Sequence, residues 1–212
     1  VPAFHVGPDP AGGGRVELNS DPLPRLLVDK RYHGVVAAGA RSETEKTFVA
    51  DCAVQANWLV KSLDQRARTI LKVSSEIVRQ QDAFLAFGVE FLRPLNLKTV
   101  ADAIGMHEST VSRVTSNKYV STPRGVFELK FFFTAAIAAT DGAASHSAEA
   151  VRHRIKTMID GEGEWGDVLS DDRIVEVLKE AGVDIARRTV AKYREALRIP
   201  SSVQRRRMLK AG

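Results

Sequence analysis

The chain has 212 residues, 44% of them apolar and 27% charged, enough for one or two domains with a buried core and too apolar for a disordered protein. A single cysteine, Cys52, excludes an internal disulfide and a cysteine-based zinc site, and no run approaches the ~18 apolar residues that span a bilayer. Net charge is +5 but unevenly placed: residues 183–212 hold nine Lys and Arg against Asp184 and Glu195, or +7, leaving −2 on the 182 residues before them. A basic end on a near-neutral body points to a localised phosphate-binding face. With no signal peptide, a cytoplasmic protein is expected, and a start at Val1 rather than Met points to a piece of a longer chain.

Residues 1–25 are rich in Pro and Gly, including Pro8, Pro10 and Gly12-Gly13-Gly14; residues 15–19 fit a short strand ended by Asn19, Ser20 and Asp21. From Ala40 to Phe87 there is neither Gly nor Pro. Trp58, Leu59, Leu63, Ile70, Leu71, Ile77, Val78, Phe84 and Leu85 recur there at three- and four-residue steps. This predicts a helix over about 53–87, either continuous and ~50 Å long or broken at a bend the residues do not mark.

Gly88 permits a stop and Pro94 a new start. In residues 97–115, Ala101 is small where two helices would cross, Gly105 suits a left-handed turn, and Val111 and Val114 supply the inward face of a second helix. That spacing fits a helix-turn-helix with Glu108, Ser109, Ser112 and Arg113 outward, and His107 at the turn as a cap or phosphate contact. Residues 121–125 read as a loop, and Val126, Phe127 and Phe131, Phe132 and Phe133 as packing against the preceding helices rather than as base-stacking groups. Residues 140–149 read as a mobile linker of small polar residues.

Residues 151–159 read as a helix and 161–166 as a break in which Glu162 and Glu164 are solvated. Ser170 is an N-cap followed by Asp171 and Asp172 in the first turn; Ile174, Val177 and Leu178 form the apolar face, and Gly182 the stop. In the next helix Ala186, Val190, Tyr193 and Leu197 fall within about 60° of arc and face inward. Arg188, Ala191, Lys192 and Glu195 point the other way, with Arg187 and Arg198 on the flank. Arginine pairs bidentately with guanine O6 and N7, lysine donates to the same atoms, and a small alanine between them lets the helix approach a groove closely. The cluster Arg205, Arg206 and Arg207 fits phosphate neutralisation.

Catalytic chemistry has no foothold. His5, His33, His107, His146 and His153 lack metal-ligand spacing, there is no phosphate-binding Gly-x4-Gly-Lys loop, and Gly12-Gly13-Gly14 lacks the strand and helix of a dinucleotide site. No catalytic residue, metal or cofactor is expected, and no enzymatic activity.

The run Ala186-Arg187-Arg188-Thr189-Val190-Ala191-Lys192-Tyr193-Arg194-Glu195 resembles the signature box of the sigma-54 (sigma-N, enhancer-dependent) family of bacterial RNA polymerase subunits. Residues 107–113, Asn117-Lys118-Tyr119 and 122–129 are similar to the family's central helix-turn-helix region; Trp58-Leu59, Gln65-Arg66, Thr69-Ile70-Leu71 and Ile77-Val78 resemble the end of its core-binding domain. Residues 37–50 and 163–168 match poorly.

The resemblance implies a mainly α chain, with a partial core-binding domain at 1–92 that includes the extra-long helix near 53–87, and a central helix-turn-helix domain at 93–139. The linker at 140–149 would lead to a C-terminal DNA-binding domain at 150–212, with its helix-turn-helix at about 170–198. Arg187, Arg188, Thr189, Lys192, Tyr193 and Arg194 would face the upstream minus-twenty-four promoter element, with Arg187, Arg188 and Lys192 reading bases. His107, Glu108, Ser109, Thr110, Ser112 and Arg113 would lie at the minus-twelve element, and Lys118, Arg124, Ser201, Ser202, Arg205, Arg206 and Arg207 would contact phosphates. The implied partners are promoter DNA, core RNA polymerase and an AAA+ activator ATPase whose main contact, a glutamine-rich region, has no counterpart here. The implied setting is the bacterial cytoplasm, at the nucleoid, with no membrane contact. Two modules on a flexible tether would engage two elements at once, the first contact raising the effective concentration of the second. A free-standing helix-turn-helix regulator, dimeric on a palindrome, is the alternative in the same class; a polymerase-binding scaffold with a merely solvated basic tail is the alternative in another.

Overall fold

The computed structural model describes residues 2–8, 14–19, 26–139, 145–163 and 167–211. Pro10, Gly12 and Gly13, the turn formers Ser20 and Asp21, residues 140–144 and Glu164 lie outside these.

A helix of 38 residues, α2 (Glu43–Gln80), dominates the first half and begins well before the predicted start near 53. Its start is set by a capping box: Ser42 Oγ accepts from the Glu45 N–H, and the Glu45 carboxylate accepts from the Ser42 and Arg41 N–H groups. At 1.5 Å per residue α2 spans about 57 Å. Only its last part is built into a core, through Ile70, Val73, Ser74, Ile77 and Val78, while Phe48, Val54 and Trp58 on the first part are exposed. A helix not singled out from the sequence, α1 (Lys30–Gly39), is capped by Asp29 and touches α2 but buries none of its residues.

The bend falls at Gln81. Its buried amide accepts from the Arg93 N–H at 3.0 Å and donates to the Arg93 carbonyl at 2.8 Å and the Phe132 carbonyl at 3.4 Å, so the side chain is anchored to a neighbouring segment. The chain resumes as α3 (Asp82–Phe87) and stops at Gly88, whose φ of 105° needs glycine. A 3-10 turn, Val89–Phe91, leads to α4 (Leu97–Ile104) and α5 (Glu108–Thr115).

The Pro- and Gly-rich N-terminal region supplies two strands, one more than predicted. Strand β1 (Phe4–Pro8) pairs antiparallel with β2 (Gly14–Leu18) and parallel with β3 (Tyr119–Thr122), which pairs antiparallel with β4 (Gly125–Glu128); the sheet order is β2-β1-β3-β4. The loop predicted over 121–125 is therefore the tight turn of a hairpin. A Cβ on Gly14 would come within 2.8 Å of Val6 and 2.9 Å of Val78, so sheet and α2 close on each other only with glycine there. Fully buried Phe4, Ile77, Val100, Val111 and Leu129 share one core, with Phe84 meeting Phe127 and Phe132 edge to face.

A second core belongs to α6 (Ala148–Asp160), α7 (Asp171–Glu180) and α8 (Arg187–Ala196), and includes Ile155, Ile174, Leu178, Val183 and Val190. The described end of the predicted linker is ordered structure. Strand β5 (Ala136–Ile137) pairs with β6 (His146–Ser147), and buried Ser147 caps α6. A last helix, α9 (Ser202–Ala211), follows α8.

Candidate nucleic-acid interface

Three turns share one solution to ending a helix. After α4 the Met106 N–H reaches the Ala101 carbonyl and the Gly105 N–H that of Asp102; after α7 the same pairs are Val183 to Leu178 and Gly182 to Lys179; after α8 they are Ile199 to Arg194 and Arg198 to Glu195. The left-handed residue is glycine in the first two, at φ 66° and 81°, and Arg198 in the third, at φ 58°. The first two turns each deliver a second helix, α5 or α8, whose inner side is pinned by a fully buried valine, Val111 or Val190.

On α8, Arg187, Arg188, Lys192 and Glu195 are exposed, and Ala191 is half-buried between them. Arg187 makes a surface ion pair of 3.2 Å with Asp172 of α7, a contact weak enough to exchange for another anion. Ala186, predicted to face inward, is the exposed N-cap.

Two arginines predicted to meet DNA face the interior. Arg194 is 6% exposed; its guanidinium donates to Asp171 at 3.0 and 3.3 Å and to the Ile199 carbonyl at 2.9 Å, tying the start of α7 to the end of α8. Arg205, 7% exposed, donates to Glu162 at 2.8 and 2.9 Å and to the carbonyls of Leu169 and Pro200. Glu162 is thus a buried partner, not a solvated one. A buried charge is tolerated only when paired and hydrogen-bonded, which leaves neither guanidinium free for DNA. Tyr193 is half-buried against the C-terminal core, with the Arg152 guanidinium 4.9 Å from its ring centre. Thr189 is half-buried on the first turn of α8.

Other predicted phosphate contacts have local structural work. Ser201 and Gln204 form a reciprocal cap on α9. That S-x-x-Q pattern could have announced the helix. Arg124 donates through Nε to the Leu85 carbonyl at 2.9 Å and through Nη2 to that of Ala86, closing the end of α3. Arg206, though exposed, donates to the Val168 carbonyl at 3.1 Å, while Arg207 lines an open cleft of about 660 Å³ with Arg198, Glu195 and Met208. Ser202 and Lys118 are half-buried.

In the central unit His107 is the N-cap of α5, Nδ1 accepting from the Ser109 N–H at 3.2 Å. Glu108, Ser109 and Arg113 are exposed, and Thr110 and Ser112 half-buried. Among the described residues no group of three or more His, Cys, Asp or Glu could hold a metal ion, and no helix is long and apolar enough to cross a membrane.

Residues 46–207 match the family model for the sigma-54 DNA-binding domain. The chain belongs to this family. It is 73% identical over 210 residues to the RNA polymerase sigma-54 factor of Caulobacter vibrioides, covering 99% of the chain and 42% of that protein. With the RNA polymerase sigma-54 factor of Azorhizobium caulinodans it shares 68% over 207 residues, covering 98% of the chain and 40% of that protein. The chain therefore spans about two-fifths of the length of these curated relatives. The crystal structure of Aquifex aeolicus sigmaN bound to promoter DNA matches with a TM-score of 0.58 at 32% identity, over 97% of this chain and 59% of that one. The ten-residue run that resembles the sigma-54 box begins at the N-cap of α8 and lies on that helix, and the family match runs from α2 into α9.

Proposed function

We propose that this chain recognises promoter DNA as the DNA-reading part of a sigma-54 factor, directing core RNA polymerase to promoters of the minus-twenty-four/minus-twelve type. In this reading α8 enters a major groove at the upstream element, where Arg188 and Lys192, with Arg187 once released from Asp172, meet base edges. α5 lies at the downstream element with Glu108, Ser109 and Arg113 outward, and Arg206, Arg207 and Lys118 neutralise phosphates. The first part of α2, with exposed Phe48, Val54 and Trp58, offers an apolar stripe to the polymerase. The chain would do no chemistry: ATP would be consumed by an AAA+ activator acting on the assembled complex at the nucleoid in the cytoplasm.

The observation that carries this reading is the cation-rich outer face of α8, the helix that follows α7 through the left-handed turn at Gly182, in a chain of this family. Family membership also favours it over a free-standing regulator. Replacing a bidentate base-reading arginine costs about 1–3 kcal/mol of discrimination. Arg188→Ala should thus weaken binding to a cognate upstream element about tenfold while leaving binding to a scrambled element unchanged, as read by fluorescence anisotropy at fixed salt. Equal loss on both DNAs would make Arg188 a phosphate contact, and no loss on either would remove it from the interface.

A further inference from the structure

Backbone pairing shows where the two helix-turn-helix units are joined. Phe132 and Phe133 belong to the first core, and Ile137 already packs on the second. Between them the Thr134 carbonyl accepts from the Leu95 N–H at 3.3 Å, just before α4, and the Ala135 carbonyl accepts from the Ala148 N–H at 2.9 Å, at the start of α6. Beyond Ile137 the chain stays on the C-terminal unit: the Ala138 carbonyl accepts from the Asp184 N–H at 3.1 Å, and Ala139 bridges Val183, both in the turn before α8. Because β5 pairs with β6, the chain leaves for residues 140–144 from the C-terminal unit and comes back to it. The length of that excursion cannot set the distance between the units.

A second contact lies away from this junction. α6 packs against Val89–Phe91, with His153 Nδ1 3.7 Å from Glu90 Oε1. On its other sides α6 carries Val151, Ile155 and Ile159 of the C-terminal core, packs against α8, and places Arg152 on the Tyr193 ring. A short covalent junction alone would leave rotation about its backbone dihedrals; a second contact off that axis removes it.

We propose that residues 133–136 are the pivot between the two DNA-reading units, and that the contact of α6 with Val89–Phe91 makes the pair a ruler for the spacing of two promoter elements. This rests on the promoter-recognition reading above. One added base pair moves an element about 3.4 Å along the duplex and turns it by about a tenth of a helical turn. A flexible tether follows that change; a braced pair does not, and loses the gain of two linked contacts.

The test places the same Gly-Gly-Ser insertion at two sites of this chain, between Thr134 and Ala135 or between Gly142 and Ala143. Affinities are measured for DNA carrying both elements at the natural spacing, at one base pair more and one fewer, and for each element alone. The unmodified chain and the 142/143 insertion should prefer the natural spacing about tenfold or more, whereas the 134/135 insertion should bring the spacings within about threefold of each other with single-element affinities unchanged. A preference that survives the 134/135 insertion, or is equally flattened by the 142/143 insertion, overturns the ruler. So does an unmodified chain that binds both elements but shows no spacing preference. Failure of the unmodified chain to distinguish either element from scrambled DNA would instead overturn the promoter-recognition reading. Should the 134/135 insertion also weaken single-element binding, Glu90→Lys decides, since it sets a cation against His153 and leaves both cores intact: a narrowed spacing preference supports the ruler, and an unchanged one overturns it.

Discussion

The central and C-terminal helix pairs reach the same turn by different means. The central pair rests on a core shared with α2 and a four-stranded sheet, its second helix is capped by a histidine side chain, and Arg113 is the cation on the outer face of α5. The C-terminal pair has a smaller core, and its helix ends are tied by two charged clamps, Asp171–Arg194 and Glu162–Arg205. A small domain buries a smaller share of its surface, so side-chain ties to backbone carbonyls take over part of the work of holding helix ends together. One consequence is that counting arginines overstates the charge offered to DNA: of the nine cations after residue 182, Arg194 and Arg205 are inside.

The largest effect that would break this contrast is at the clamps. Removing one partner of a buried pair strands the other charge and costs about 3–5 kcal/mol. Arg194→Ala and Arg205→Ala should therefore speed hydrogen exchange throughout α7 and α8 and leave the amides of α4 and α5 protected, because the central core makes no use of either pair. In Arg194→Ala, replacing Asp171 by Leu as well should recover much of the loss, since no charge is then left unpaired. Unchanged exchange, with DNA affinity lost, would return these arginines to the interface.

What could be read ahead of the structure divides along the same line. Both helix pairs were legible because their determinants are local: Gly105 and Gly182 at the turns, Ser170 at the cap, and valines at helical spacing. The clamps were not, because Asp171 meets Arg194 across 23 residues and Glu162 meets Arg205 across 43, and an arginine that pairs inward looks like one that reads DNA. The bend at Gln81 has no glycine or proline to betray it; it follows from an amide bonded to the backbone of Arg93. Strand β1 was missed because its parallel partner β3 lies more than a hundred residues away, and β6 because two short strands flank an apparent linker.

A smaller effect tests whether the shared turn is worth the same in each unit. No atom lies within 4 Å of a Cβ built on Gly105 or Gly182, so an alanine at either position costs only the left-handed backbone, about 1–2 kcal/mol. Gly105→Ala and Gly182→Ala should lower stability by similar amounts in urea titrations. Arg198→Gly should do the reverse by about 1 kcal/mol, relieving a non-glycine residue at φ 58°. A loss at Gly105 alone would mean that the C-terminal turn is held by its clamps and not by its glycine.

The finest distinction lies within Arg205, Arg206 and Arg207, three neighbours with three environments. Each phosphate neutralised contributes about 0.9 to the slope of log affinity against log salt. Arg207, with no hydrogen bond to a described residue, should lose that much on Arg207→Ala whatever the DNA sequence. Arg206, whose Nη2 already serves the Val168 carbonyl, should lose at most the same. Arg205→Ala should leave the slope of the folded protein unchanged while lowering its stability. Equal slope changes at all three positions would mean that the Glu162–Arg205 clamp opens on DNA, which would merge the structural and the DNA-facing arginines into one set and remove the contrast between the two units.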